Sequence, residues 1–372
     1  MISARVWSSS LTAPPGGLAD VSLPVVAMGP RSISLPGVTV SDVGAERMFT
    51  SDDLRLAPRD GGGPLCSPEH RREARAFGVV NVAFHLRRGL DRISALLGHA
   101  LPPLVVRIGV HASQAPRWGG GHYRLPALTY TKLPEEEPPL PTGEIHLGLG
   151  SGFIPFEGRP YFHAPSHNAG IICHELGHHL MRHTADLRLN SGRPPDAQAN
   201  RKVALDEGTC DYLAAILLET PDIFGWHRHH VATTSLQRRR LDGPWTMAAY
   251  AGSRTDDPHS DGAIWASALW AARSKLEQCG VAGEEFDRLL LRALTRIGRS
   301  PAGASRAEAL QRRMEFGGAL HALLDEDQSP AGRVGGVVEA VFASRGIEVG
   351  FDNDELRERA RARVLRPVSG GR

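Results

Sequence analysis

Ala169 to Leu180 reads AGIICHELGHHL and holds His174, Glu175 and His178 in the order H-E-x-x-H. On a helix, residues four apart share a face, so the two imidazoles can converge on one zinc ion at about 2.0 to 2.1 Å. Glu175 stands one residue further round. That offset suits a carboxylate that reaches a zinc-activated water without binding the metal, the general-base arrangement of metal-assisted peptide hydrolysis. The pentapeptide fixes three residues and also turns up on surface helices with two incidental histidines. Here Ile171, Ile172 and Leu180 flank it, which suits a buried helix.

The third ligand must come from elsewhere. A motif extended by Gly and a third His would need Gly at 181 and His at 184, where the chain has Met181 and Thr184. His179 and His183 form a second pair four apart on a different face, and read as polar surface residues or as partners of ligands. Downstream, Ala204 to Leu218 (ALDEGTCDYLAAILL) is an apolar helix interrupted by Asp206, Glu207 and Asp211. Glu207 and Asp211 share one face, and carboxylates on a buried face need partners. Zinc would satisfy Glu207, and the second ring nitrogen of a ligating histidine would satisfy Asp211. Salt bridges to arginines are the other way to satisfy them.

H-E-x-x-H followed by E-x-x-x-D resembles the gluzincin metallopeptidases, the thermolysin and fungalysin branches in particular. The resemblance implies that Glu207 is the third zinc ligand and that Asp211 orients a zinc-binding histidine, His174. It extends to Asp256 to Arg273 (DDPHSDGAIWASALWAAR), where His259 takes the place of the family's oxyanion-binding histidine just before a helix of small residues. A loop histidine beside a helix cap would look the same. The likeness spans about residues 75 to 275 and has gaps. No tyrosine lies between His179 and Asp206 to aid the oxyanion, which leaves that role to His259 or to Tyr250. Residues 111 to 150 contain no asparagine, so the family's Asn-Ala element on its substrate-binding strand is missing. Glu144 to Leu149 is the strand that would take substrate. The Gly-Ala-Met-Glu-Asn motif of related aminopeptidases is absent, which favours endopeptidase action.

The elements that must position these groups follow from pattern. Runs at 21 to 27 and 32 to 40 read as strands in a Pro- and Gly-dotted stretch. With a linker at Asp60 to Pro64 (DGGGP), they suggest an N-terminal β-rich appendage, residues 1 to 65. Residues 66 to 372 would be the catalytic domain, an α/β lobe to 183 and a helical lobe from 184. Arg71 to Leu97 has helical spacing, with Phe77, Val80, Phe84, Ile93 and Leu97 apolar and Gly98 as its stop. Leu104 to Val110, Trp118 to Tyr130 and Glu144 to Leu149 read as strands, the last two separated by a loop, Leu133 to Pro141, that holds three glutamates among four prolines. Helices are expected near 167 to 183, 197 to 219, 262 to 278, 284 to 297, 306 to 324 and 333 to 344. The fold class is α+β, a thermolysin-like zincin with one catalytic zinc in the cleft between a β-containing and a helical lobe.

Composition sets bounds. A net charge of +2 from 43 basic and 41 acidic side chains gives no field to recruit nucleic acid or an anionic membrane. Arg238 to Arg240 and the tail from Arg357 to Arg366 read as solvated faces. Cys66, Cys173, Cys210 and Cys279 are too sparse for a disulfide scaffold and read as reduced thiols, Cys173 and Cys210 as small core residues. Without a signal-peptide pattern or a membrane span, a cytoplasmic location is expected. The expected partner is a peptide or protein substrate. The competing reading is a binding or scaffolding module that keeps a metallopeptidase-like fold without its chemistry.

Overall fold

The structure, a computed structural model, describes residues 1–7, 18–43, 52, 71–110, 118–125, 140–150, 152–156, 159–186, 203–224, 239–252, 258–299, 305–329 and 332–365. They form two compact units, one of Met1–Ala95, His99–His179 and Leu213–Leu236, the other of Leu96–Gly98, Leu180–Tyr212 and Gln237–Arg372. Among the described residues no helix is long and apolar enough to cross a membrane.

The first unit is built on a mixed sheet. Strands β1 (Ile2–Trp7) and β2 (Leu18–Leu23) form an antiparallel pair of their own. Strands β3 (Ala27–Met28), β4 (Ser32–Leu35), β5 (Val38–Asp42), β6 (Leu104–Ile108), β7 (Gly121–Arg124) and β8 (Glu144–Leu147) form a six-stranded sheet in the order β3-β4-β5-β6-β8-β7. The run expected as one strand from 32 to 40 is a hairpin, because Pro36 and Gly37 turn it, Gly37 at φ 78. β5 then pairs in parallel with β6, Val38 opposite Leu104. The sheet therefore runs across the boundary expected near residue 65, and residues 27 to 42 belong to its framework instead of forming an appendage. The DGGGP linker and the 133 to 141 loop up to Pro139 lie outside the described residues. A further antiparallel pair, β9 (Gly152–Phe156) and β10 (Arg159–His163), was not signalled by the sequence pattern.

Alternating burial in β4, β5 and β6 marks one core face per strand, whereas β8 is buried throughout. Helix α1 (Arg71–Leu97) ends at Gly98, φ 78, as its sequence predicts. Helix α2 (Ala169–His183) packs on it at a glycine: a Cβ on Gly89 would fall 2.4 Å from Leu176 Cδ2. Asn81 of α1 donates from Nδ2 to the Ser166 carbonyl at 3.0 Å, and the His167 ring bonds the Ala74 carbonyl at 2.7 Å, so the turn before α2 is pinned to α1.

The second unit is helical. Helix α3 (Ala204–Leu218) contributes residues to both units. Helices α4 (Pro258–Gln278), α5 (Gly283–Arg299), α6 (Arg306–Arg313), α7 (Phe316–Asp325), α8 (Arg333–Ser344) and α9 (Asn353–Leu365) follow. The helix expected from 306 to 324 is broken: Met314 adopts left-handed geometry at φ 63 and Glu315 starts the next helix. Trp265 centres the core, stacked on Phe316 at 5.5 Å and edge-on to Phe342 at 5.1 Å. The Arg-rich tail forms α9, where Arg359 and Arg363 pair with Glu348.

Candidate metal centre

Helix α2 begins where it does because Asn168 caps it, its Oδ1 accepting from the Gly170 N–H at 2.9 Å. From that start, one face carries His174 and His178, both buried, with rings edge to face and centroids 4.9 Å apart. Ligand atoms of His174, His178 and Glu207 all lie within 4.8 Å of one another. Donors arranged tetrahedrally round one zinc would stand about 3.3 Å apart, so this group is of a size that closes on an ion with small adjustments. Two imidazoles and a carboxylate, all buried, could hold a metal ion.

Glu175, 4 % exposed, has an Oε2 buried without a hydrogen-bond partner among the described residues. A buried carboxylate oxygen left unbonded is costly unless a water or a reacting group meets it. On its other side, a Cβ added to Gly121 of β7 would fall 2.9 Å from Glu175 Oε1. The glycine leaves the space that the carboxylate occupies. β7 ends the sheet among the described residues, whereas β8, which the sequence reading favoured for substrate, lies between β6 and β7. The backbone of β7 at Gly121 runs alongside Glu175.

Helices α3 and α4 touch through two glycines. A Cβ on Gly208 would meet the Gly262 carbonyl at 2.2 Å, and one on Gly262 would meet the Gly208 nitrogen at 2.7 Å. This close approach brings His259, in the first turn of α4, against Glu207 beside Gly208, with Nε2 3.0 Å from Oε2. The histidine picked out for the oxyanion thus stands next to one donor of the metal group.

Asp211 is fully buried, and Arg239 grips it with Nε donating to Oδ2 at 2.9 Å and Nη2 to Oδ1. Arg239 belongs to a run expected to be solvated, yet its side chain is 12% exposed and neutralises a buried acid. Asp206, not singled out as a site residue from the sequence, groups with the metal-group histidine His178 and with Cys210 within 4.8 Å. Its signal in the sequence is slight, an acid directly before Glu207. Arg239 had none, being far along the chain from Asp211. His179 is fully buried, correcting the reading of it as surface: its ring nitrogens lie 3.0 Å from the Tyr123 hydroxyl and 3.0 Å from the Pro102 carbonyl. Tyr250 is a core residue packed on Phe316, and its hydroxyl accepts from Asn353 Nδ2 at 3.3 Å. Burial pushes its phenol above the usual range. Cys173, Cys210 and Cys279 are thiols, not disulfides.

Compared with known protein families and with curated proteins, the sequence matches none.

Proposed function

We propose that the chain is a zinc-dependent metallopeptidase of thermolysin-like, gluzincin type, acting as an endopeptidase on peptide or protein substrates. The observation that carries this reading is the meeting of His174, His178 and Glu207 within 4.8 Å, beside a buried Glu175 with an unbonded oxygen. His174, His178 and Glu207 would hold the ion, and the two-nitrogen, one-carboxylate donor set is that of a catalytic zinc. Zinc, when bound there, supplies Lewis acidity that polarises a carbonyl and makes a water acidic at neutral pH.

The chain's own groups supply the rest. Glu175 Oε2 accepts a proton from the attacking water and returns it to the leaving amine. His259 stands beside Glu207 and offers a ring N–H to the oxygen of the tetrahedral intermediate, a contact stronger in the transition state than in the ground state. β7 would align an extended peptide by backbone hydrogen bonds, with Gly121 keeping the approach to Glu175 open. Asp211 and Asp206 are the carboxylates available to fix the tautomers of His174 and His178.

Mass-spectrometric mapping of cuts in a denatured peptide mixture tests this, comparing the zinc-loaded chain with the chain after chelation. Internal cuts that vanish with chelator and return with zinc are expected. Zinc bound in stoichiometric amount without any cuts would favour the binding-module reading.

A further inference from the structure

Cys210 has no part in the chemistry proposed above, yet its surroundings are those of a metal ligand. It is fully buried on α3, one turn after Asp206, and its Sγ lies 3.7 Å from Asp206 Oδ1. Its sulfur, a carboxylate oxygen of Asp206 and a ring nitrogen of His178 all lie within 4.8 Å of one another. The four-residue spacing of Asp206 and Cys210 puts both on one face of α3, so the pair is set by the helix itself. Cys173 is a useful contrast. It too is buried next to a metal-group histidine, but burial pushes its thiol up to about 12, with only the nearby Arg88 charge opposing, and it belongs to no donor group among the described residues.

We infer that His178, Asp206 and Cys210 form a second cation site, one that takes thiophilic divalent ions such as cadmium or excess zinc and shuts off the first. Sulfur in the donor set selects for such ions over magnesium or calcium, which prefer all-oxygen ligands. Binding releases the thiol proton to solvent and, where the second ring nitrogen of His178 is engaged while the first holds an ion, that nitrogen's proton as well. His178 is common to both donor groups. An ion on the sulfur side either draws its imidazole away from His174 and Glu207 or engages its second ring nitrogen, and both change the hold on the first ion. The second site rests on its own three donors, whereas the shut-off rests on the peptidase reading.

The test uses the full chain carrying one equivalent of zinc, titrated with cadmium while the ultraviolet thiolate-to-cadmium charge-transfer band is recorded. Wild type should give a saturable band, absent from Cys210→Ser and Cys210→Ala and kept by Cys279→Ser. Asp206→Asn should raise the midpoint at least about tenfold, the scale on which a lost partner weakens a metal site. Cadmium at the wild-type midpoint should depress peptide turnover in wild type and spare Cys210→Ser. No band in wild type, or an undiminished band in both Cys210 variants, overturns the site. Should the Cys210 variants fail to fold, the Asp206→Asn shift and the Cys279→Ser control decide it. A chain that shows the band but cuts no peptide sinks the peptidase reading and leaves the site standing.

Discussion

Glu175 is the residue on which the proposed chemistry turns, and its buried Oε2 is what makes that proposal testable. Its Oε2 has no hydrogen-bond partner among the described residues, so Glu175→Gln removes the proposed proton acceptor without breaking a bond seen at that oxygen. Turnover should fall by about 10² to 10⁴, the contribution of general acid–base catalysis, with bound metal unchanged. Gly121 makes a subtler prediction. A methyl group there meets Glu175 Oε1 at 2.9 Å and Glu175 Cγ and Leu147 Cδ2 at 3.0 Å, all side-chain atoms, so Gly121→Ala should displace the Glu175 carboxylate more than it disturbs the backbone. A reduced kcat with metal content and thermal stability near wild type is expected; a large loss of stability would show that the glycine serves packing instead. H-E-x-x-H and E-x-x-x-D were readable in the sequence because helical spacing turns such residues into one face. Arg239 and the Tyr123 and Pro102 contacts of His179 were not readable, because their partners lie far apart in sequence and no local period links them.

At the scale of elements, the glycine contact between α3 and α4 holds Glu207 and His259 together. Gly208→Ala would drive a Cβ into a backbone carbonyl, which cannot rotate away, so the helices must separate. A loss of about 1 to 3 kcal/mol is expected from such overpacking, read from the denaturant midpoint. α1 carries a pH-sensitive anchor for β1. His85, fully inside, bonds the Trp7 carbonyl from Nε2 at 2.8 Å, and burial drives its pKa down to about 4, the Trp7 bond opposing and Arg88 adding to the fall. As pH drops through 6.5 the unfolded chain takes up a proton that the folded chain refuses until about 4. The stability His85 contributes is thus complete above 6.5 and lost between 6.5 and 4, up to about 3 kcal/mol. His85→Gln should flatten the dependence of the unfolding midpoint over that window; an unchanged slope would assign it to other groups. Most helices were legible from apolar period, and the misses have physical causes. Met314 breaks a helix through a backbone conformation that its side chain does not advertise, and Pro36-Gly37 splits a strand-like run into a hairpin.

At the scale of the whole molecule, α+β architecture follows from strands concentrated before residue 164 and helices after it, a division visible in the sequence. The membership of residues 27 to 42 in the main sheet was not visible, because parallel pairing of β5 with β6 joins segments separated by α1. The chain's near-balanced charge gives no global field, so any charge preference must come from local groups. The most direct test of the central claim is paired measurement of zinc content and peptide cleavage in wild type and Glu175→Gln. The account predicts one zinc per chain in both proteins and cleavage in wild type alone. Equal cleavage by the two proteins, or zinc lost along with activity in Glu175→Gln, would contradict it.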